Sequence, residues 1–397
     1  MPIGSSPDLL LDSAAVKPFP PTKHAVHVLP EGELERKLKL GRPLRVKLGV
    51  DPTSPDVHLG FAVVLDRLRE WQDAGHTVVL IVGDYTARIG DPSGRSSERP
   101  VLPDEELDAN AKRFADQAFR VLDRAKTEVR FNGEWLAKLS FAEVVRLTRM
   151  LTVARLLERD DFAKRFAAQE PITLSELLYP PMQAYDSVAI DADVEIGGTD
   201  QLYNLLTGRD VMERYGKEAQ LVVTYPLLVG LDGVEKMSKS RGNYIGIEEP
   251  PEEMFGKTMS VPDTALEQWW ELLGGGGEHL ADPMEWKLEL ARRITVRWHG
   301  EEGVRAGEAH FTQVVRRHEA PDEVPELQLP ADGKPVHLPA ILKTQFGQTT
   351  SHWRRQIDQG GVKVNGELVA SYDLDPTLLD GSVVQAGKRQ FVRVHLV

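Results

Sequence analysis

The chain has 397 residues, 41% of them hydrophobic and 27% charged, with a formal net charge of −13 and no cysteine. At roughly 150 residues per domain, that length predicts two or three domains. No apolar run reaches the roughly 20 residues needed to span a bilayer, and without thiols neither a disulfide framework nor a thiolate metal site is available.

The first thirty residues lack a basic start followed by an apolar core, so no export signal is read and a cytoplasmic location is expected. Farther on, "LRVKLGV" (44–50) and "TVVLIVG" (77–83) have the continuous apolar character of buried strands. Between them, "LGFAVVLDRLREWQDAG" spaces Leu59, Val63, Leu68 and Trp71 at roughly helical intervals and ends at Gly75. Strand, helix and strand predict a βαβ unit, whose right-handed crossover leaves the carboxyl ends of the strands as a ligand crevice.

Polar motifs follow those strand ends. "DPTSPDVHLGF" puts Thr53, His58 and Gly60 beside a helix N-terminus, where free backbone N–H groups favour phosphate. Gly60 permits close approach of a nucleotide, and His58 can hydrogen-bond a phosphate without a fixed charge. A turn with a capping aspartate and a chance histidine would also account for this stretch. "GDYTARIGDPSGRSSER" is partly an ordinary turn signature, yet it places Asp91, Arg95 and Arg99 after a strand, where a carboxylate can hold an ammonium and guanidiniums can reach phosphates. In "YPPMQAYD", Tyr179, Gln183 and Asp186 are four and three residues apart and share one face if helical. "VEIGGTDQLYNLLTGRDVMERYG" repeats strand, glycine turn and helix, with Asp200 and Gln201 at the turn, and "VEKMSKSRGN" (234–243) sets Lys236 and Lys239 among small and polar residues.

Helical periods continue to about residue 320, as in "MEWKLELARRITVRWHG", interrupted by glycines 274–277. "APDEVPELQLPADGKPV" (320–336) is rich in proline and acid without a helical or strand period and reads as a linker. The overall acidity argues against a chain devoted to nucleic acid. From Leu338 onward, however, seven basic residues face five acidic ones, a net of +2, and "TSHWRRQIDQGGVKVNGELV" reads as a basic helix, glycine turn and hairpin.

These motifs together resemble the bacterial tyrosyl-tRNA synthetases, over nearly the whole chain. "HLG" looks like the first signature of class I synthetases and "KMSKS" like the second, while "GDPSG", "QAYD" and "GGTDQ" are similar to that family's tyrosine-site and adenylate-site segments. The resemblance implies an α/β fold: a Rossmann-like parallel-sheet catalytic domain with a helical insertion (1–233), the lysine loop and a helical anticodon-side domain (234–320), a linker (321–336), and a small α+β RNA-binding domain of the ribosomal αL type (337–397). It implies that tyrosine's own carboxylate attacks the α-phosphate of ATP, and that the tyrosyl group then passes to the 3′ end of tRNA(Tyr). ATP with Mg2+ is a substrate, and no tightly bound cofactor or protein-held metal is expected.

By the same resemblance, Thr53, His58, Lys236 and Lys239 act on the phosphates, the lysines from a mobile loop. Gly60, Arg95, Arg99, Gly198, Asp200 and Lys239 line the ATP and pyrophosphate site. Asp91, Tyr179 and Gln183, with Asp51 and Gln201, bind tyrosine, and Asp186 faces its phenolic hydroxyl. Arg354, Arg355 and Lys363 contact tRNA, and a homodimer forms through the insertion around residues 110–170. Two departures stand out. Phe61 occupies the place of a signature histidine, and Lys47 occupies the place where the more familiar branch has a tyrosine that shares the substrate hydroxyl; a second bacterial branch with the "KLG" start looks closer. A nucleotidyltransferase that makes only an adenylate, or an RNA-binding scaffold with a relic site, would share parts of this pattern. The basic C-terminal module argues against the first, and the intact lysine signature against the second.

Overall fold

The structure, a computed structural model, describes residues 19–53, 56–92, 102–316, 324–331, 333–387 and 390–397. Residues up to Glu248, with Glu267–Leu273, form one compact unit; Glu249–Leu266 and Gly274–Val397 form a second.

The first unit is built on a six-stranded sheet of β1 (His27–Leu29), β2 (Arg45–Val50), β3 (Thr77–Val82), β4 (Thr127–Phe131), β5 (Val194–Gly198) and β6 (Leu221–Tyr225), in the order β1-β6-β5-β2-β3-β4. The strands from β6 to β4 pair in parallel, while β1, which was not anticipated, is an antiparallel edge on β6. Strands β3, β5 and β6 are almost wholly buried, which explains their unbroken apolar runs. The expected helix is α1 (Leu59–Asp73); it buries Leu59, Val63, Leu65, Leu68 and Trp71, and Gly75 follows with φ +92°. That left-handed conformation suits a residue without Cβ and stops the helix.

Helix α2 (Asp104–Ala118) precedes β4, and α3 (Leu174–Ile190) precedes β5. Thr173 and Glu176 form a reciprocal capping box at the start of α3, which fixes where its turns begin. Tyr179, Gln183 and Asp186 are all buried on it, as their spacing predicts, even though Pro180 and Pro181 lie inside the helix. Helix α4 (Leu202–Arg214) follows β5 directly. The lysine segment from residue 234, expected to open the helical part of the chain, is compact with this first unit instead. Its backbone explains why: Lys236 bridges to Val229, and Gly246 bridges to His58 at the entry to α1.

In the second unit, α5 (Pro251–Met259) packs on α6 (Pro283–His310), two helical stretches broken at Gly300, where φ is +67°. The approach is close at Gly307, where an added Cβ would lie 2.7 Å from that of Phe255. The C-terminal portion contains β7 (Glu326–Leu329), β8 (Val336–His337), α7 (Leu338–Phe346), α8 (Thr350–Asp358), β9 (Val362–Val364), β10 (Glu367–Leu368), β11 (Asp373–Leu374), β12 (Val383–Ala386) and β13 (Gln390–Leu396). One sheet runs β10-β9-β12-β13-β7, and β11 pairs with β8. Leu338, Leu342, Trp353, Ile357, Val362, Val384 and Val392 share its core. The basic helix, turn and hairpin of the sequence are α8, β9 and β10. The linker expectation for 321–336 is corrected here, because Glu326–Leu329 pairs in parallel with β13. An edge strand is held by backbone hydrogen bonds, so its acidic, proline-flanked composition concealed it.

Candidate active site

A cavity of about 990 Å3 opens at the carboxyl ends of β2, β3 and β5. Asp51, Thr53, His58, Gly60, Asp91, Tyr179, Gln183, Asp186, Gly198, Asp200, Gln201, Lys236 and Lys239 all line it. Arg95 and Arg99 lie outside the described residues. Arg354 and Arg355 are exposed on α8 and Lys363 is half-buried on β9, all in the second unit.

One set of lining residues is rich in acceptors. Asp51 receives the Tyr179 hydroxyl at 3.0 Å and the Thr86 hydroxyl at 2.7 Å. Asp91 receives Nε2 of Gln201 at 2.8 Å, and Oε1 of Gln201 is held by Asn204 at 3.0 Å. Asp186 is 2% exposed and accepts from Trp135 Nε1 at 2.8 Å and Asn132 Nδ2 at 3.2 Å. Burial pushes its carboxyl up to about 6, against the pull of the Lys47 cation and of those two donors. Oε1 of Gln183 is buried with no protein partner among the described residues.

A second set presents donors and positive charge. His58 is the N-cap of α1, and its Nδ1 accepts the Phe61 backbone N–H at 3.3 Å. That bond assigns the proton of the neutral ring to Nε2. Burial, then the charges of Lys239 and Lys236, push the imidazole down to about 4, so it is a neutral donor at physiological pH. Lys236 pairs with Asp200 at 2.6 Å. Lys239 reaches the Asp56 carbonyl, and burial, with Arg113 adding to it and Asp56 opposing, pushes its ammonium down to about 8. The segment bearing both lysines is stapled: Asn243 Oδ1 takes the Ser238 N–H at 2.8 Å, and the Gly230 N–H donates to the Glu235 carbonyl at 2.7 Å. The Gly60 N–H lies 3.2 Å from Sδ of Met237.

The chain matches the family described as tRNA synthetases class I (W and Y) over residues 39–291. It is 48% identical to a tyrosine–tRNA ligase of Moorella thermoacetica, with 93% of each chain covered. The same identity is found with a tyrosine–tRNA ligase of Thermotoga maritima, over 94% of this chain and 95% of the relative. This chain belongs to the tyrosyl-tRNA synthetase family. Among solved structures, it is similar to a tyrosyl-tRNA synthetase from Archaeoglobus fulgidus complexed with L-tyrosine (TM-score 0.60, 24% identity, 72% of this chain and 97% of that one). A likeness at that identity shows a shared fold.

Both departures from the family pattern have a structural account. Phe61 meets Phe114 of α2 edge-on, with centroids 5.1 Å apart, so the place of the signature histidine is an apolar wall. Lys47 is fully buried and pairs with Glu195 at 2.8 Å. Sequence reasoning missed Asn132, Trp135 and Glu195. The first two sit in "FNGEW" at the end of β4, where an asparagine and glycine following a strand were the available signal; Glu195 precedes a motif that drew attention to Gly198, Asp200 and Gln201.

Proposed function

We propose that the cavity forms tyrosyl-adenylate from tyrosine and ATP, which arrives as its magnesium complex, and that the enzyme then transfers tyrosine to the 3′ end of tRNA(Tyr). The observation that carries this reading is the pairing, in one cavity, of an acceptor set suited to an ammonium and a hydroxyl with a donor set suited to a polyphosphate. Asp91, Tyr179, Gln183, Asp51 and Gln201 take the amino-acid end, and Asp186 takes the phenolic hydroxyl. Rejection of phenylalanine follows because that substrate leaves a buried carboxylate without the donor it needs. Gly198, Asp200 and Gln201 border the adenylate. An added Cβ at Gly198 would meet the side-chain ends of Leu227 at 2.5 Å and Asp200 at 2.8 Å and push them aside.

The substrate carboxylate is already a nucleophile, so no protein base is needed. Negative charge accumulates on the α-phosphate and the departing pyrophosphate, and donors that close on it in the transition state raise the rate. Thr53, Gly60, the Nε2–H of His58 and the cations Lys236 and Lys239 are those donors, with Arg95 and Arg99 as further pyrophosphate contacts.

Arg354, Arg355 and Lys363 are proposed tRNA contacts, since a chain of net charge −13 needs a local basic surface to capture an anionic RNA. Cytoplasmic work beside tRNA fits this role, and no helix among the described residues is long and apolar enough to cross a membrane. A homodimer is proposed through the helices between β4 and α3. Phe141 and Phe166 there, and Leu174 at the start of α3, are 82%, 65% and 82% exposed, large apolar side chains that such an interface would cover.

Tyrosine-dependent ATP–pyrophosphate exchange tests the adenylation step. Lys236→Ala and Lys239→Ala should each slow adenylate formation by about 10²–10³-fold while leaving tyrosine binding near wild type; unchanged rates would remove the lysines from the mechanism. Lys239 must be protonated to act, so kcat/KM should fall as pH rises through about 8, and Lys239→Arg should carry that limb to higher pH. A chain ending before Val324, which removes β7 with the rest of its sheet, should keep exchange and lose tRNA charging; charging at the full rate would refute the RNA-binding assignment. Phe141→Glu combined with Leu174→Glu should shift sedimentation from dimer to monomer, and an unchanged dimer would place the interface elsewhere.

A further inference from the structure

Lys47 and Glu195 are register partners on the parallel strands β2 and β5, so their side chains emerge side by side from one face of the sheet. Both are sealed from solvent, at 0% and 2% exposure, and they pair at 2.8 Å. The Lys47 ammonium also donates to Ser187 Oγ at 2.8 Å and to the Gln183 carbonyl at 3.1 Å, one helical turn apart on α3. Fully buried and tied to these groups, Lys47 does not line the cavity, so it does not share the substrate hydroxyl as the tyrosine it replaces would.

What the ammonium holds is the junction of the three elements that build the tyrosine site. β2 leads into Asp51, α3 carries Gln183 and Asp186, and β5 leads into Gln201. Glu195, neutralised by Lys47, accepts the Ser187 hydroxyl at 3.3 Å, the Gln220 amide, and Nε2 of Gln183 at 3.4 Å. That last contact turns the Gln183 amide so that Oε1, the atom left without a protein partner among the described residues, is the end available to an ammonium ligand.

We propose that Lys47 is a positioning residue for amino-acid specificity: through Glu195 it orients Gln183 toward the substrate ammonium, and it acts as a fixed positive charge on Asp186, which then reads the hydroxyl alone. The inference rests on the tyrosine-site reading given above. The charged groups acting on Asp186 are Lys47 from β2 and Glu195 from β5, with opposite signs. The segment after β4 presents the neutral donors Asn132 and Trp135, and Asp51 at the end of β2 is bonded to Tyr179 and Thr86. Asp186 is raised by burial to about 6, with Lys47 pulling it down more strongly than Glu195 pushes it up.

An ionised Asp186 accepts the phenolic proton, so the ratio of kcat/KM for tyrosine to that for phenylalanine should fall as pH drops through about 6; effects common to ATP cancel in the ratio. Lys47→Met should move that limb to higher pH and Glu195→Gln should move it to lower pH, opposite shifts that a purely structural role would not produce. Lys47→Met combined with Glu195→Gln removes both charges, so no unpaired buried ion opposes folding. In the full-length dimer, confirmed as folded by circular dichroism, this pair should raise the tyrosine KM roughly tenfold with a smaller change in kcat, and its limb should lie above that of wild type. A wild-type ratio without an acid limb would overturn the tyrosine-site reading and this inference together. A wild-type limb that both single substitutions leave in place, with a wild-type tyrosine KM in the folded double variant, would overturn the role of Lys47 alone.

Discussion

A lysine and a glutamate sealed together beneath the cavity floor constrain everything above them. Removing either partner of such a pair leaves a buried charge uncompensated, at a cost of about 3–5 kcal/mol. Lys47 and Glu195 add bonds to Ser187 and Gln183, so β2, β5 and α3 are tied at one point. Those elements end in or carry Asp51, Gln183, Asp186 and Gln201, and a shift of any one of them would break a bond in the pair. In the proposed tyrosine site, precision thus comes from strands and a helix whose relative placement is fixed by charge, with loops supplying the remaining groups.

The proposed phosphate end works by a different division of labour. The α1 N-terminus and a neutral His58 are fixed dipoles, set by the bond between Nδ1 and the Phe61 amide. Lys236 and Lys239 bring full charges on a segment stapled by Asn243, and each has a protein partner, Asp200 and the Asp56 carbonyl, that a polyphosphate would have to replace. The fixed donors at the α1 N-terminus need little reorganisation as charge develops, whereas the lysines exchange their protein partners for the polyphosphate.

Much of this was legible in the sequence. Tyr179, Gln183 and Asp186 were placed on one face by helical spacing alone, and the strand ends were marked by apolar runs that stop at polar clusters. What stayed hidden depends on contacts between residues far apart in the chain. Lys47 looked like an anomaly because its counter-ion is Glu195, 148 residues away, and only strand register makes them neighbours. Asn132 and Trp135 follow an ordinary strand with no motif, and their importance appears only where their donors meet Asp186. β7 was hidden because parallel edge pairing is written in the backbone, which composition does not report. Phe61 was legible as a departure, but its packing on Phe114 was not.

If Asp186 reads the hydroxyl, one buried carboxylate distinguishes tyrosine from phenylalanine. The most direct test is steady-state pyrophosphate exchange with the two amino acids, comparing wild type with Asp186→Ala at pH 7.5. The account predicts that kcat/KM for tyrosine falls roughly 10–100-fold while that for phenylalanine changes little, so the preference narrows by about that factor. A variant that keeps its full preference for tyrosine would show that the hydroxyl is read by another group, and would contradict the account.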